Sequence, residues 1–161
     1  MLHPEIEGFS ITAGNSSGTN DACAAVGIVE RGYAETEKLD VLATVKAWAS
    51  IGVAPRDTGL GGVRVIGRVL DRAGLKPSDV TLWEINEAFA SVPIAACKEY
   101  GIDEELVNFS GSGCSLGHPI AASGARMITT LIYELRRRGG GIGVAAMCAG
   151  GGQGGAVIIE V

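Results

Sequence analysis

The sequence predicts an α/β fold: a mostly parallel, five-stranded sheet with helices on both faces, closed by a C-terminal antiparallel hairpin. Two observations carry this expectation. Apolar, β-branched runs alternate with stretches whose apolar residues recur at helical spacing, and such alternation demands a sheet covered on both sides. The chain then ends differently, with "GIGVAAMC" and "GGAVIIEV" joined by a glycine-rich turn, which is the pattern of a hairpin.

Taken in order, residues 1–21 read as an irregular entry ending in the turn formers of "TAGNSSGTND". "ACAAVGIVE" (22–30) is a small-residue apolar run and reads as a first buried strand. "RGYAETEKL" suits a short surface helix, and "VLATVKAWAS" (41–50) a second strand. In "LGGVRVIGRVLDRAG" (60–74), Val63, Ile66, Leu70 and Ala73 step along one helical face, and Gly74 closes the helix. "DVTLWEI" (79–85) is the third strand and leads into a helix at "NEAFASVPIAACKEYG", where Pro93 predicts a kink. Residues 118–138 form the longest helix, with Ala121, Ala125, Ile128, Ile132 and Leu135 as its apolar stripe. No linker, repeat or shift of composition divides the chain, so 1–161 reads as one domain.

Composition narrows the function classes. Hydrophobic residues make up 47% and charged residues 19%, which excludes a disordered chain. The net charge is −5 and the one cationic run, Arg136-Arg137-Arg138, falls where a helix should end; there it complements the helix dipole and does not suggest nucleic-acid binding. No stretch approaches the length of a membrane span, and no signal peptide is read at the start. Cys23, Cys97, Cys114 and Cys148 lack CxxC spacing, so a reduced, cytoplasmic chain is expected rather than a disulfide scaffold or a metal site. Cys23 and Cys97 read as core residues.

Three stretches place reactive side chains at the ends of elements, where open α/β sheets expose their sites. Asn86 stands at a strand-to-helix junction, where it is either a helix N-cap, with Glu87 in the first turn, or a polar site residue. His118 opens a helix at "HP", and the positive pole there opposes protonation. A neutral imidazole can accept a proton and donate its N–H; the alternative is a histidine satisfied by loop carbonyls. Cys148 ends a strand and faces "AGGGQGG", whose bare N–H groups could form an oxyanion hole. The alternative there is a small buried cysteine beside a flexible turn.

"TAGNSSGTNDACAA", "NEAFA", "NFSGSGCSLGHPIAASGAR" and "CAGGGQGGAVI", in this order, resemble the C-terminal half of thiolases. Those enzymes make or cleave the carbon–carbon bond of 3-ketoacyl-CoA. The resemblance runs over essentially the whole chain and implies a thiolase-like half-fold, acyl-CoA and CoA as substrates, no further cofactor, and an oligomeric assembly. It implies that His118 activates a nucleophilic cysteine and helps bind the thioester oxygen, while Asn86 holds a water that completes that oxyanion site. It makes Cys148 the group that moves the proton on the α-carbon and on departing CoA, a role for which a thiolate near a helix terminus is suited. The N–H of Gly150 would serve a second oxyanion hole. Ala13, Ser17, Ala88 and Phe89 would line the pantetheine pocket.

A thiolase takes its covalent nucleophile from its N-terminal half, and no cysteine here matches that context. Cys114, near His118 in sequence, is the outside candidate. Two smaller departures are "GLGG" (59–62), where the family often has GxGP, and Ala121, where glycine is common. The reading is therefore a C-terminal half or subunit that requires an N-terminal partner half and is inactive alone. The alternatives are an inactive remnant that binds acyl-CoA or acts as a scaffold, and a ketoacyl synthase relative, which Cys148 argues against because those enzymes usually carry histidine there.

Overall fold

The structure, a computed structural model, describes residues 5–161. Its elements are α1 (Arg31–Thr36), β1 (Thr44–Gly52), α2 (Thr58–Ala73), β2 (Leu82–Ile85), α3 (Ser91–Tyr100), α4 (Ile120–Arg138), β3 (Ile142–Ala149) and β4 (Gln153–Glu160). The four strands form one sheet in the order β1-β4-β3-β2. β4 runs antiparallel to both β1 and β3, and β3 runs parallel to β2. Three strands therefore share a direction, as the alternation predicted. The hairpin strand β4 inserts between two of them instead of adding at an edge, so most pairings are antiparallel.

The expected fifth strand is absent among the described residues. Residues 22–30 form neither helix nor strand, and Val26, Ile28 and Val29 lie exposed, Ile28 at 77%. Cys23 is exposed with them, contrary to its expected burial, whereas Cys97 is buried on α3. The small-residue apolar character was read correctly; a strand also needs a pairing partner, and among the described residues this segment has none.

Helix α2 covers one face of the sheet. Val63, Val65, Ile66, Val69 and Leu70 pack with Trp83, Ile85, Val144, Ala146 and Ile158 into the larger core. Gly74, at φ +67°, ends α2 in the left-handed conformation that glycine adopts most easily. At the other end Gly61 and Gly62 let α2 approach the hairpin. A Cβ on Gly61 would lie 2.5 Å from the Gln153 carbonyl oxygen, and one on Gly62 3.0 Å from the Cys148 nitrogen. That contact is the physical reason for glycines in "GLGG".

Helix α4 covers the other face. Met127, Leu131 and Leu135 pack with Leu82, Ala145 and Ile159. The buried stripe is thus Ala122, Met127, Leu131 and Leu135; of the predicted stripe Leu135 is buried, Ala121 is exposed, and Ala125, Ile128 and Ile132 are only half-buried. α4 carries two adjacent apolar stripes, and periodicity alone cannot choose between them. Gly139 caps it, and Arg137 and Arg138 both pair with Glu134 while Arg138 stacks over Phe109. The cationic run is a helix end, as read.

Helix α3 begins at Ser91, so Asn86 is not its N-cap and Glu87 is not in its first turn. Pro93 falls within that first turn, where its missing N–H costs no helical bond, and no kink is needed.

Candidate active site

The site assembles at the C-terminal ends of the parallel strands. Alternation along β2 sends Trp83 and Ile85 into the α2 core and Leu82 toward α4. Residues Glu84 and Asn86 follow Leu82 in parity and are fully buried on the α4 side. The Asn86 N–H donates to the Ala146 carbonyl at 2.9 Å, carrying the sheet register one residue past β2.

His118 precedes Pro119, the N-cap of α4. Its ring is held at both nitrogens. Nδ1 lies 2.7 Å from Ser123 Oγ and Nε2 3.3 Å from Asn86 Nδ2. The Ser123 hydroxyl donates its one proton to the Pro119 carbonyl at 3.2 Å, so toward His118 it accepts, which places a proton on Nδ1. Nε2 is then the lone-pair nitrogen and takes the N–H of Asn86. Burial, and after it the charge of Arg126, hold the imidazole below its usual pKa, so it is neutral at pH 7. The neutral form expected from the helix terminus is found, but with a different cause.

The His118 main-chain N–H donates to Asn20 Oδ1 at 3.0 Å. Gly117, at φ +105°, lets this occur: a Cβ there would sit 2.5 Å from that oxygen. Ser123 and Asn20 are site residues that the sequence reading missed, as is Asn108. The Asn108 side chain brackets Ile85, accepting from its N–H and donating to its carbonyl, both at 2.8 Å, and so closes the open edge of β2.

Cys148 lies near the end of β3, buried, paired in register with Gly154 and backed by Gly62 of α2. Among the described residues it makes no hydrogen bond to His118 or Asn86. Burial pushes its thiol up, so the resting form is the thiol and not the thiolate expected from sequence. Gly150 sits exposed in the turn that follows, and a Cβ there would meet nothing within 4 Å, so its backbone is approachable. Cys114 is exposed; its thiol points to the Glu87 carbonyl at 3.6 Å, and burial together with the Glu87 charge raises its pKa, which removes it as an activated nucleophile.

The residues expected to touch CoA come together as a wall. Ser16 bridges Phe89, the Ser17 N–H donates to the Ala88 carbonyl at 3.0 Å, and the Ala90 N–H donates to the Asn15 carbonyl at 2.9 Å. Ala13 is exposed on the short 3-10 turn beside them. An open cavity of about 320 Å³ lies between Ser17–Asn20 and His118 with Ile120. A larger one, about 520 Å³, lies at the other end of β2, between Lys76 and Leu106, remote from His118. Among the described residues no group of His, Cys, Asp and Glu could hold a metal ion, and no helix is long and apolar enough to cross a membrane.

Residues 39–161 match the family model described as thiolase, C-terminal domain. The chain belongs to the thiolase family. It is 44% identical to the cytosolic acetyl-CoA acetyltransferase of mouse and 46% identical to the acetyl-CoA acetyltransferase of Escherichia coli, over 94% of its own length and 38% of theirs. It is 44% identical to the 3-ketoacyl-CoA thiolase of Bacillus subtilis, again covering 39% of that protein. Among solved structures, human mitochondrial 3-ketoacyl-CoA thiolase in complex with CoA superposes with a TM-score of 0.85 at 37% identity, with 93% of this chain and 38% of that one aligned. The chain spans well under half the length of these thiolase relatives, and corresponds to their C-terminal part.

Proposed function

We propose that this chain is the C-terminal half of a thiolase-type acyltransferase, working with an N-terminal half that supplies the nucleophilic cysteine. The observation that carries this is the Asn86–His118–Ser123 chain, in which a neutral imidazole presents a lone-pair Nε2 at the strand ends. In the forward step the 3.3 Å contact from Asn86 gives way, and His118 Nε2 takes the proton of the partner half's thiol. The thiolate adds to a thioester carbonyl, and the resulting oxyanion accepts hydrogen bonds from the protonated imidazole and from a water held by Asn86. Each such donor is typically worth about 3 kcal/mol of barrier. Collapse expels CoA thiolate, which takes the proton of the Cys148 thiol and leaves Cys148 as the thiolate, and the acyl group stays on the partner's sulfur.

In the second half-reaction Cys148 removes an α-proton from acetyl-CoA, and the Gly150 N–H stabilises the enolate oxygen. The carbanion attacks the bound acyl group, forming the new C–C bond and freeing the partner's cysteine. The raised pKa of Cys148 suits this, because a thiolate of higher pKa is the stronger base toward a weakly acidic α-proton. Substrates are acyl-CoA and CoA, with the pantetheine arm along Ala13, Ser17, Ala88 and Phe89, and no cofactor is required. A cytoplasmic location accords with the names of the rodent relatives.

Mixing the purified chain with an N-terminal thiolase half should give CoA-dependent cleavage of acetoacetyl-CoA. Cys148→Ala in that mixture should abolish condensation and leave acylation of the partner's cysteine detectable by mass. Absence of cleavage with both chains folded overturns the reading and leaves the scaffold or acyl-CoA-binding alternative.

A further inference from the structure

One buried charged pair near the site has no part in the chemistry above. Glu84 on β2 is 0% exposed, and its Oε2 accepts from Arg126 Nη1 on α4 at 2.5 Å. The pair is not fully satisfied: Glu84 Oε1 and Arg126 Nη2 are buried without partners. A buried ion pair with orphaned atoms is a poor source of stability, and apolar residues of the same volume often do better. Its position suggests another use. Glu84 stands two residues before Asn86 on one strand face, and Arg126 three residues after Ser123 on one helix face. The pair thus ties together the two elements that grip the two nitrogens of His118.

We propose that the Glu84–Arg126 pair is the positioning device of His118: it holds α4 against β2 so that Ser123 and Asn86 meet the ring, and keeps a guanidinium charge beside it. This rests on the reading of His118 as the proton acceptor. The charged groups around the ring are few. Arg126 comes from α4, the helix that follows the ring, and opposes its protonation, Glu84 from β2 is paired with Arg126, and Glu87 from the turn after β2 acts on Glu84. Cys148, from β3, is an uncharged thiol at neutral pH. Removing the guanidinium should therefore raise the pKa of His118, and releasing α4 from β2 should let both imidazole tautomers populate.

The 161-residue chain contains two histidines, so His3→Gln leaves His118 as the one imidazole, and nitrogen and proton NMR can follow it without the partner half. The parent should show the Nδ1–H tautomer and a midpoint below that of a free histidine. Arg126→Gln should raise the midpoint and mix the tautomers. Arg126→Lys, which keeps the cation, should hold the midpoint down. Should Arg126→Gln fail to fold, the double variant Glu84→Gln with Arg126→Gln removes both buried charges at once and should give the same rise. A folded variant lacking Arg126 whose His118 keeps both midpoint and tautomer overturns the proposal. Failure of the proposed function is separately visible: an N-terminal half that restores no cleavage while these shifts occur sinks that reading and leaves the positioning role standing.

Discussion

The two faces of the sheet are built for different ends. Behind β2, the face under α2 is apolar throughout: Trp83, Ile85, Val63, Ile66 and Ile158 are all essentially inaccessible to water. On the α4 face, the same strand contributes Leu82, then Glu84 and Asn86, and a smaller core gives way to a chain of polar contacts running from Arg126 through Glu84 and from Asn86 through His118 to Ser123. Glu84, Asn86 and Ser123 are buried as deeply as the apolar side chains opposite, while His118 and Arg126 are half-buried. One face therefore holds the strands, and the other spends part of its packing on groups that need exact partners, which is costly in stability and useful only if those groups act. A four-residue strand with period-two alternation is enough to separate the two roles.

Substitutions can break this contrast, and the largest effect should come from the apolar face. Trp83→Ala should lower unfolding free energy by about 3–5 kcal/mol, read as a fall in denaturation midpoint, and a loss below 1 kcal/mol would mean that the α2 core is not the fold's anchor. His118→Ala should do the reverse. It should cost cleavage in the two-half mixture at least about 100-fold while moving the melting temperature little, and similar losses in both would erase the distinction between the faces.

The pH dependence should come from the polar face. Burial, partly offset by Arg126, pushes the Glu84 carboxyl up to about 7. With a folded pKa above the unfolded one, its contribution is fully present below about pH 4.5 and is lost as pH rises through about 7. Stability should decline from pH 5 to pH 8 by roughly 3 kcal/mol from this group, and Glu84→Gln should flatten the decline. His118 acts with the opposite sign: its depressed pKa supplies stability above about pH 6.5 that is lost on acidification, so the comparison with Glu84→Gln at each pH isolates the carboxyl. Ser123→Ala should cost about 1 kcal/mol and shift the His118 tautomer, visible by nitrogen NMR. Smallest of all, Glu134→Gln on the exposed end of α4 should change stability by no more than about 0.5 kcal/mol despite its two arginine partners.

The sequence showed the α2 face well and the α4 face in part. Helix α2 presents one apolar stripe and needs one partner, so Val63, Ile66 and Leu70 could be read directly. Helix α4 presents two stripes, and the one that packs here, through Met127 and Leu131, was not the one chosen. Residues 22–30 were legible as apolar, yet strand formation is a property of a pair of segments. Asn86 and His118 could be named from their motifs, whereas Ser123 could not. Its contact depends on Pro119 turning the chain so that a helical hydroxyl comes back under the ring, and the spacing of five residues between them carries no obvious signal. Asn20 and Asn108 come from distant loops and become visible only once the chain is folded.

The position of β4 bears on how the molecule is made. It is the last of the four strands to be synthesised, yet it lies between β1 and β3 and is the partner that both share. On the ribosome, Thr44–Gly52 has no strand partner among the described residues until Gln153–Glu160 has emerged, about one hundred residues later. The nascent chain therefore carries an unpaired β1 through the synthesis of those residues, and this sheet closes in one late event of long loop closure. Chains stalled before Gln153 should be clients of chaperones and proteases, and chains released after it should escape them.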